Sequence, residues 1–358
     1  MLENLVNISF KTESPLMQTK VDLNKTKGGG TTEIKKMPVL VGSEVKEVPF
    51  YSSNGIDGKF RRIGTSIILD AAIRKGITID KEFVKSYHYM ANGGGSGTEK
   101  ESSLGIAERE TLKGLNPLIS LFGTGLIVSG KIIIHNFLPS KRIINDESMY
   151  YSGEIKDKPG FFWNKSKLIG TDTIIKRDDI LDYNNYARKF FTVEDVNEWQ
   201  KEVEENRSKR KADKDAGKSK NESEKKSDIQ NIISREYIIP GVEFYSSVAM
   251  KEEWSDIEKG LFYSILREFV KYPLGAIVNK GWGVVSFNIK NAEGDTIMRS
   301  YPKDEEYLSE IQIDDTFTDK ENACVSAFDN WLKNITVDNI DIAGFIKKYA
   351  KAEKEEKE

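Results

Sequence analysis

The sequence predicts an α+β domain of the split β-α-β, ferredoxin-like type that carries a long insertion. Two observations carry the prediction. Segments of strand and helix period run strand, helix, strand before residue 150, and the same order recurs after residue 234. Between them the composition shifts, and residues 194–229 are dominated by Glu, Lys, Asp, Asn and Ser with almost no apolar residue after Val203. A segment of that kind buries too little area to offset its chain entropy and is expected to be disordered or a solvated helix.

The elements follow in order. Residues 4–11 (NLVNISFK) alternate apolar and polar side chains, as a half-buried strand does. Residues 12–50 are polar and threaded with lysine, and read as a long loop. An apolar-periodic helix is expected from about Ile56 to Lys75, capped by Ser52, Ser53 or Asn54, and a short one over 80–91 that stops at Gly93–Gly97. Asn116–Gly123 reads as a short apolar helix ended by glycine, and the β-branched run 130–137 as a buried strand. After the insertion come a strand over 237–249, a helix over about 255–271 and a strand over 282–290, then two helices within 320–352. The order is that of ferredoxin-like and RNA-recognition-motif domains. Residues 1–149 form its first half, 150–233 the partly disordered insertion, and 234–358 the second half with the C-terminal helices.

Composition narrows the function classes. The net charge is −3, but residues 1–150 hold 20 Lys and Arg against 16 acids, residues 151–290 hold 25 against 24, and residues 291–358 hold 9 against 17. The acidity is therefore C-terminal, and the rest is mildly basic, which permits phosphate contacts. No run of 18 apolar residues exists, so no membrane span is expected. The N-terminus alternates rather than forming an apolar block, so no secretory signal is expected either. A single cysteine, Cys324, allows neither an internal disulfide nor a multi-cysteine metal site, and fits a reducing cytoplasm. No metal or other cofactor is expected.

Three segments carry binding chemistry. In 51–62 (YSSNGIDGKFRR) small polar residues precede a helix whose first turns bear Lys59, Arg61 and Arg62. Free backbone N–H groups and the positive dipole end at such a start suit a phosphate oxygen. The glycine run around Gly94 and Gly95 allows close backbone approach but has no following Lys-Ser/Thr, so it is not a nucleoside-triphosphate loop. In 273–285 (PLGAIVNKGWGVV), Gly281 and Gly283 flank Trp282 next to Lys280, directly before a strand. Each segment also has a plain structural reading: a capped helix, a linker and a tight connection around a core tryptophan.

Together these segments resemble the RAMP superfamily of CRISPR-associated proteins, and within it the Cas seven-type backbone subunits. The SSNGIDGKFRR stretch is similar to the family's small-residue, basic first helix; 116–123 followed by 130–137 is similar to its "Leu-Phe-Gly, then strand" element; 273–285 is similar to its late glycine loop. The glycine run and Arg177-Asp178-Asp179 resemble the type IV subunits in particular. The landmarks fall in family order over about 50–290. Asp57 departs from the pattern, standing where a basic residue is expected. The resemblance implies a palm with inserted finger and thumb segments. It implies copies stacked head to tail along a guide RNA in a CRISPR effector complex with other subunits, and a target nucleic acid recognised by guide pairing. It places Ser53, Asn54, Lys59, Arg61 and Arg62 at guide phosphates, with Lys280 and the amides around Gly281 and Gly283 as a second contact, Gly94, Gly95 and Trp282 beside them, and Arg177 in the insertion.

No catalytic residue is expected. The alternative is a target-cleaving ribonuclease of the same fold, for which Asp22 is the one acid in Ser14–Thr32. Histidine chemistry needs a poised pair, and His88 and His135 lie in unrelated segments, so both read as structural, as does Cys324. A third class is an assembly subunit without RNA.

Overall fold

The computed structural model describes residues 3–20, 31–41, 44–94, 104–125, 127–139, 168–177, 192–195, 197–198, 201–202, 205, 229–304, 308 and 310–355. The chain divides into two compact units, one of residues 1–20, 33–170 and 237–358, the other of 21–32 and 171–236. The second unit takes in most of the expected insertion together with 21–32.

In chain order the strands are β1 (Glu3–Thr12), β2 (Thr31–Thr32), β3 (Lys36–Val41), β4 (Glu44–Pro49), β5 (Gly123–Thr124), β6 (Val128–Ser129), β7 (Ile132–Ile134), β8 (Leu138–Pro139), β9 (Ile169–Arg177), β10 (Ile229–Ile238), β11 (Glu243–Met250), β12 (Val285–Asn291), β13 (Thr296–Pro302) and β14 (Ile311–Asp315). The helices are α1 (Ser53–Arg74), α2 (Val84–Asn92), α3 (Ile106–Leu115), α4 (Pro117–Phe122), α5 (Asp256–Phe269), α6 (Asp319–Lys333), α7 (Val337–Ile340) and α8 (Ile342–Glu355).

The first unit is built on an antiparallel sheet in the order β14-β13-β12-β1-β11-β7, with β8 also paired to β11. Its central four strands give the split β-α-β arrangement. The crossover β1–α1–β7 skips β11, and β11–α5–β12 skips β1, so each β-α-β pair is parallel with one antiparallel strand between. The α+β fold class expected from the sequence is the one observed, extended at one edge by β13 and β14.

Period-two alternation explains β1. Val6, Ile8, Phe10 and Thr12 are buried on one face, while Asn7 and Lys11 are exposed on the other. Phe10 stacks on its cross-strand partner Phe244 at 5.0 Å and meets Phe287 and Phe137. The helices close over that face. Phe60 of α1 packs edge-on against Phe269 of α5 at 4.8 Å, and Phe269 reaches Phe287 of the sheet at 5.0 Å. The α5 start carries a Ser255–Glu258 capping box. Gly260 lets α6 approach, because a Cβ there would stand 2.0 Å from the Cys324 carbonyl oxygen.

Several expectations are corrected. The described part of the 12–50 loop contains a hairpin, with Lys36 opposite Pro49 through Val41 opposite Glu44. The 237–249 strand is two strands broken at Pro240-Gly241, where Gly241 has φ +90° and Thr12 Oγ1 accepts from the Val242 N–H at 2.9 Å. The 130–137 strand shrinks to Ile132–Ile134 plus one bridge, Tyr51 to Phe137. Among the described residues three helices rather than two follow β14, and α3 was not expected.

In the second unit β2 runs parallel to β10, with Thr31 opposite Ser234, and the sheet order is β2-β10-β9. Within 194–229, the described residues 194–195, 197–198, 201–202 and 205 are helical and those same residues are exposed.

Candidate nucleic-acid interface

The start of α1 is held from outside the helix. Ser52 occupies the cap position in extended geometry, yet its side chain makes no cap bond. Its N–H instead donates to Gln18 Oε1 at 2.6 Å, and the Ser53 N–H donates to Asn136 Oδ1 at 2.9 Å. These two amides are pinned by side chains from the β1–β3 connection and from the residues after β7. Asn54 beyond them is exposed, and no acid stands in the first turn. The positive end of a 22-residue helix is therefore left without a counter-charge of its own.

Lys59 and Arg62 follow on the next turns. Arg62 is exposed, and its guanidinium lies back over Gly58, where a Cβ would stand 3.3 Å from Nη1. Lys59 is half-buried; Nζ donates to the Pro273 carbonyl and lies 6.0 Å from the Tyr272 ring centroid. Burial, with the Arg62 cation adding to it, lowers its pKa from 10.5 to about 8.

The glycine loop 273–283 is fastened to this helix start. Besides the Lys59–Pro273 bond, the Gly275 N–H donates to Tyr51 Oη at 3.1 Å. Burial raises the Tyr51 pKa, so its hydroxyl stays a neutral partner. The structure thus joins the first and third sequence segments. The loop turns through positive φ at Gly275, Ile277, Gly281 and Gly283. At Gly283 only glycine fits, because a Cβ would lie 1.8 Å from the Leu274 carbonyl oxygen at φ +84°. Ile277, β-branched, sits at φ +65° in the left-handed region, a conformation that the surrounding loop must hold.

Those turns correct the second contact expected at Gly281 and Gly283. The Gly283 N–H donates to the Pro15 carbonyl at 2.8 Å, and the Gly281 N–H closes its own exposed turn on the Val278 carbonyl at 3.0 Å, so both amides already have a protein acceptor. Trp282 is half-buried and packs edge-on against Tyr237 at 5.2 Å. Lys280 remains exposed on the 3-10 turn Val278–Lys280.

Arg61 is also corrected. Its side chain is 11% exposed; Nε donates to Asp57 at 2.9 Å, Nη1 to the Gly123 carbonyl at 2.9 Å, and Nη2 to the Phe122 carbonyl. The guanidinium ties α1 to the end of α4 and lies against Gly93, whose virtual Cβ would stand 3.4 Å from Cζ. Three of its five N–H donors are taken by protein acceptors, which leaves two on a side chain only 11% exposed. Asp57 is the acidic partner in this clamp. Gly94 likewise serves α2, its N–H reaching the His88 carbonyl at 3.4 Å.

Arg177 ends β9 in the second unit. Asp22 and Gly95 lie outside the described residues. His88 Nδ1 is 3.3 Å from Asn92 Nδ2, and His135 is exposed beside β7. Cys324 is buried against α5. Among the described residues no group of three His, Cys, Asp or Glu is placed to hold a metal ion, and no helix is long and apolar enough to cross a membrane. Sequence reasoning missed Gln18, Tyr272 and Asn136, which carry no local motif, and gave no role to Tyr51 and Pro273 within their segments; these residues meet only through tertiary contacts.

No family model matches the chain, and no curated protein matches it. Among solved structures it is similar to a chain of a type IV-B CRISPR complex, at 13% identity and a TM-score of 0.45, covering 80% of this chain and 90% of that one. The fold assignment rests on the strand order described above and not on this likeness.

Proposed function

We propose that this protein is a guide-RNA-binding backbone subunit of a class 1 CRISPR effector complex, of the type IV kind, whose copies stack head to tail. The reading is non-catalytic: the protein grips ribose-phosphate and leaves base edges to pair with a target. The observation that carries it is the α1 start, where a first turn without an acid, exposed at Asn54, is followed by Lys59 and Arg62 on successive turns. The family resemblance of 51–62, 116–137 and 273–285 and the split β-α-β palm support it. Ser53 and Asn54 at the helix start, Lys59, Arg62 and Lys280 form the proposed contact set.

Fluorescence anisotropy with labelled single-stranded RNA over a range of salt tests the reading. The wild type is expected to bind at low salt, with log K falling linearly against log salt by roughly 0.7 per phosphate contacted. Arg62→Ala should reduce that slope by about one contact. Asn54→Asp should weaken binding while leaving the melting temperature unchanged or raised, because an acid suits a helix start but repels phosphate. A wild type that ignores RNA in dilute buffer overturns the proposal. Metal-dependent cutting of complementary RNA, lost in Asp22→Ala, would replace it with the ribonuclease reading.

A further inference from the structure

Tyr272 is placed where the phosphate contact needs an aromatic surface. It follows α5 on a short turn in which the Tyr272 N–H donates to the Phe269 carbonyl at 3.1 Å and the Lys271 N–H to Glu268 at 3.2 Å. Pro273, with its fixed φ, comes next, and its carbonyl is the acceptor of Lys59. The ring is therefore carried on a hydrogen-bonded, proline-stopped turn, yet 49% of the residue is exposed. An exposed aromatic side chain on so constrained a support keeps a large flat face in water and loses little entropy when that face is covered.

Two cations of α1 lie near it. Lys59 Nζ is 6.0 Å from the ring centroid, and Arg62 shares with Tyr272 a cleft of about 650 Å³ formed by residues of α1, α5 and α6. Three acids also line that cleft: Glu268, ion-paired to Lys271 at 2.5 Å, Asp70, which accepts from Ser66 Oγ, and Asp329. Tyr245, as exposed at 48%, is a useful contrast, because its hydroxyl donates to a carboxylate, Glu243, at 2.6 Å. A flat ring with one cation beside it and another in the same cleft is the local chemistry by which proteins hold single strands: the cations follow the backbone and the ring takes a base face.

We infer that Tyr272 is a stacking platform for a nucleobase of a single-stranded RNA whose phosphates lie at Lys59 and Arg62. The inference rests on the proposed function and adds to it a contact with the base. Stacking is indifferent to sequence, since every base has a π face, so it leaves hydrogen-bonding edges free for pairing.

The test compares full-length protein on labelled single-stranded RNA and on an abasic ribose-phosphate oligomer of the same length. The wild type should prefer the RNA. Tyr272→Ala should weaken RNA binding by about 5- to 100-fold, leave abasic binding and the salt slope unchanged, and so erase the preference. Tyr272→Phe should retain it. A 2-aminopurine placed in the strand should be quenched by wild type and less so by Tyr272→Ala. If Tyr272→Ala binds both oligomers as the wild type does, or loses both equally, the stacking role is overturned while the phosphate grip stands. If the wild type binds neither oligomer, the proposed function falls and this inference with it.

Discussion

Lys59 links the stability of the fold to the proposed grip through one proton. Its pKa, lowered from 10.5 to about 8 by burial and the nearby Arg62, means that the native state binds fewer protons than the unfolded chain between those values. Stability should therefore rise with pH across that window, the charged form being the one burial disfavours below it. RNA binding has the opposite sign. A phosphate near Nζ favours the ammonium, so binding takes up a proton and weakens as pH climbs through about 8. Titrations at constant ionic strength should show flat affinity below neutrality and a decline above pH 8, and Lys59→Arg should flatten that decline because a guanidinium stays charged. Equal pH dependence in both proteins would remove Lys59 from the contact set.

Between α1 and its neighbours the deciding contact is the Arg61 clamp. Arg61→Ala strips hydrogen bonds from the Phe122 and Gly123 carbonyls and leaves Asp57 without its partner, so it should cost about 2–4 kcal/mol. Urea unfolding should show a lower midpoint at unchanged m, while the folded protein keeps its RNA salt slope. A lost slope in a stable variant would return Arg61 to the interface. The sequence concealed this division of labour because Lys59, Arg61 and Arg62 form one basic cluster on paper. Helical rotation of about 100° per residue separates them: Phe60 enters the core, Arg61 meets α4, and Arg62 faces solvent. The palm itself was legible, since Val6, Ile8 and Phe10 alternate cleanly and Ser255 with Glu258 announces α5. The hairpin β3–β4 was not, because Leu40 and Val45 are each 69% exposed and so break the inside–outside alternation that marks a strand. The loop amides were not legible either, since glycine reveals permissive backbone but not where its N–H points.

For the whole molecule the proposal requires assembly, and mass measurement can follow it. On single-stranded RNAs of stepwise length, bound copies should increase in integer steps, because head-to-tail contacts extend without closing. One copy per strand at every length would contradict stacking. The sheet also sets a schedule for synthesis. β1 is central, paired on both sides by β11 and β12, and its Thr12 meets Val242 across 230 residues of chain. At ribosomal rates the strand waits about 10–50 s for its first neighbour. Throughout that interval Val6, Ile8 and Phe10 have no sheet to join and two unpaired backbone edges beside them. Nascent chains are thus most at risk of sticking to one another early, through a strand that the finished protein holds between two neighbours.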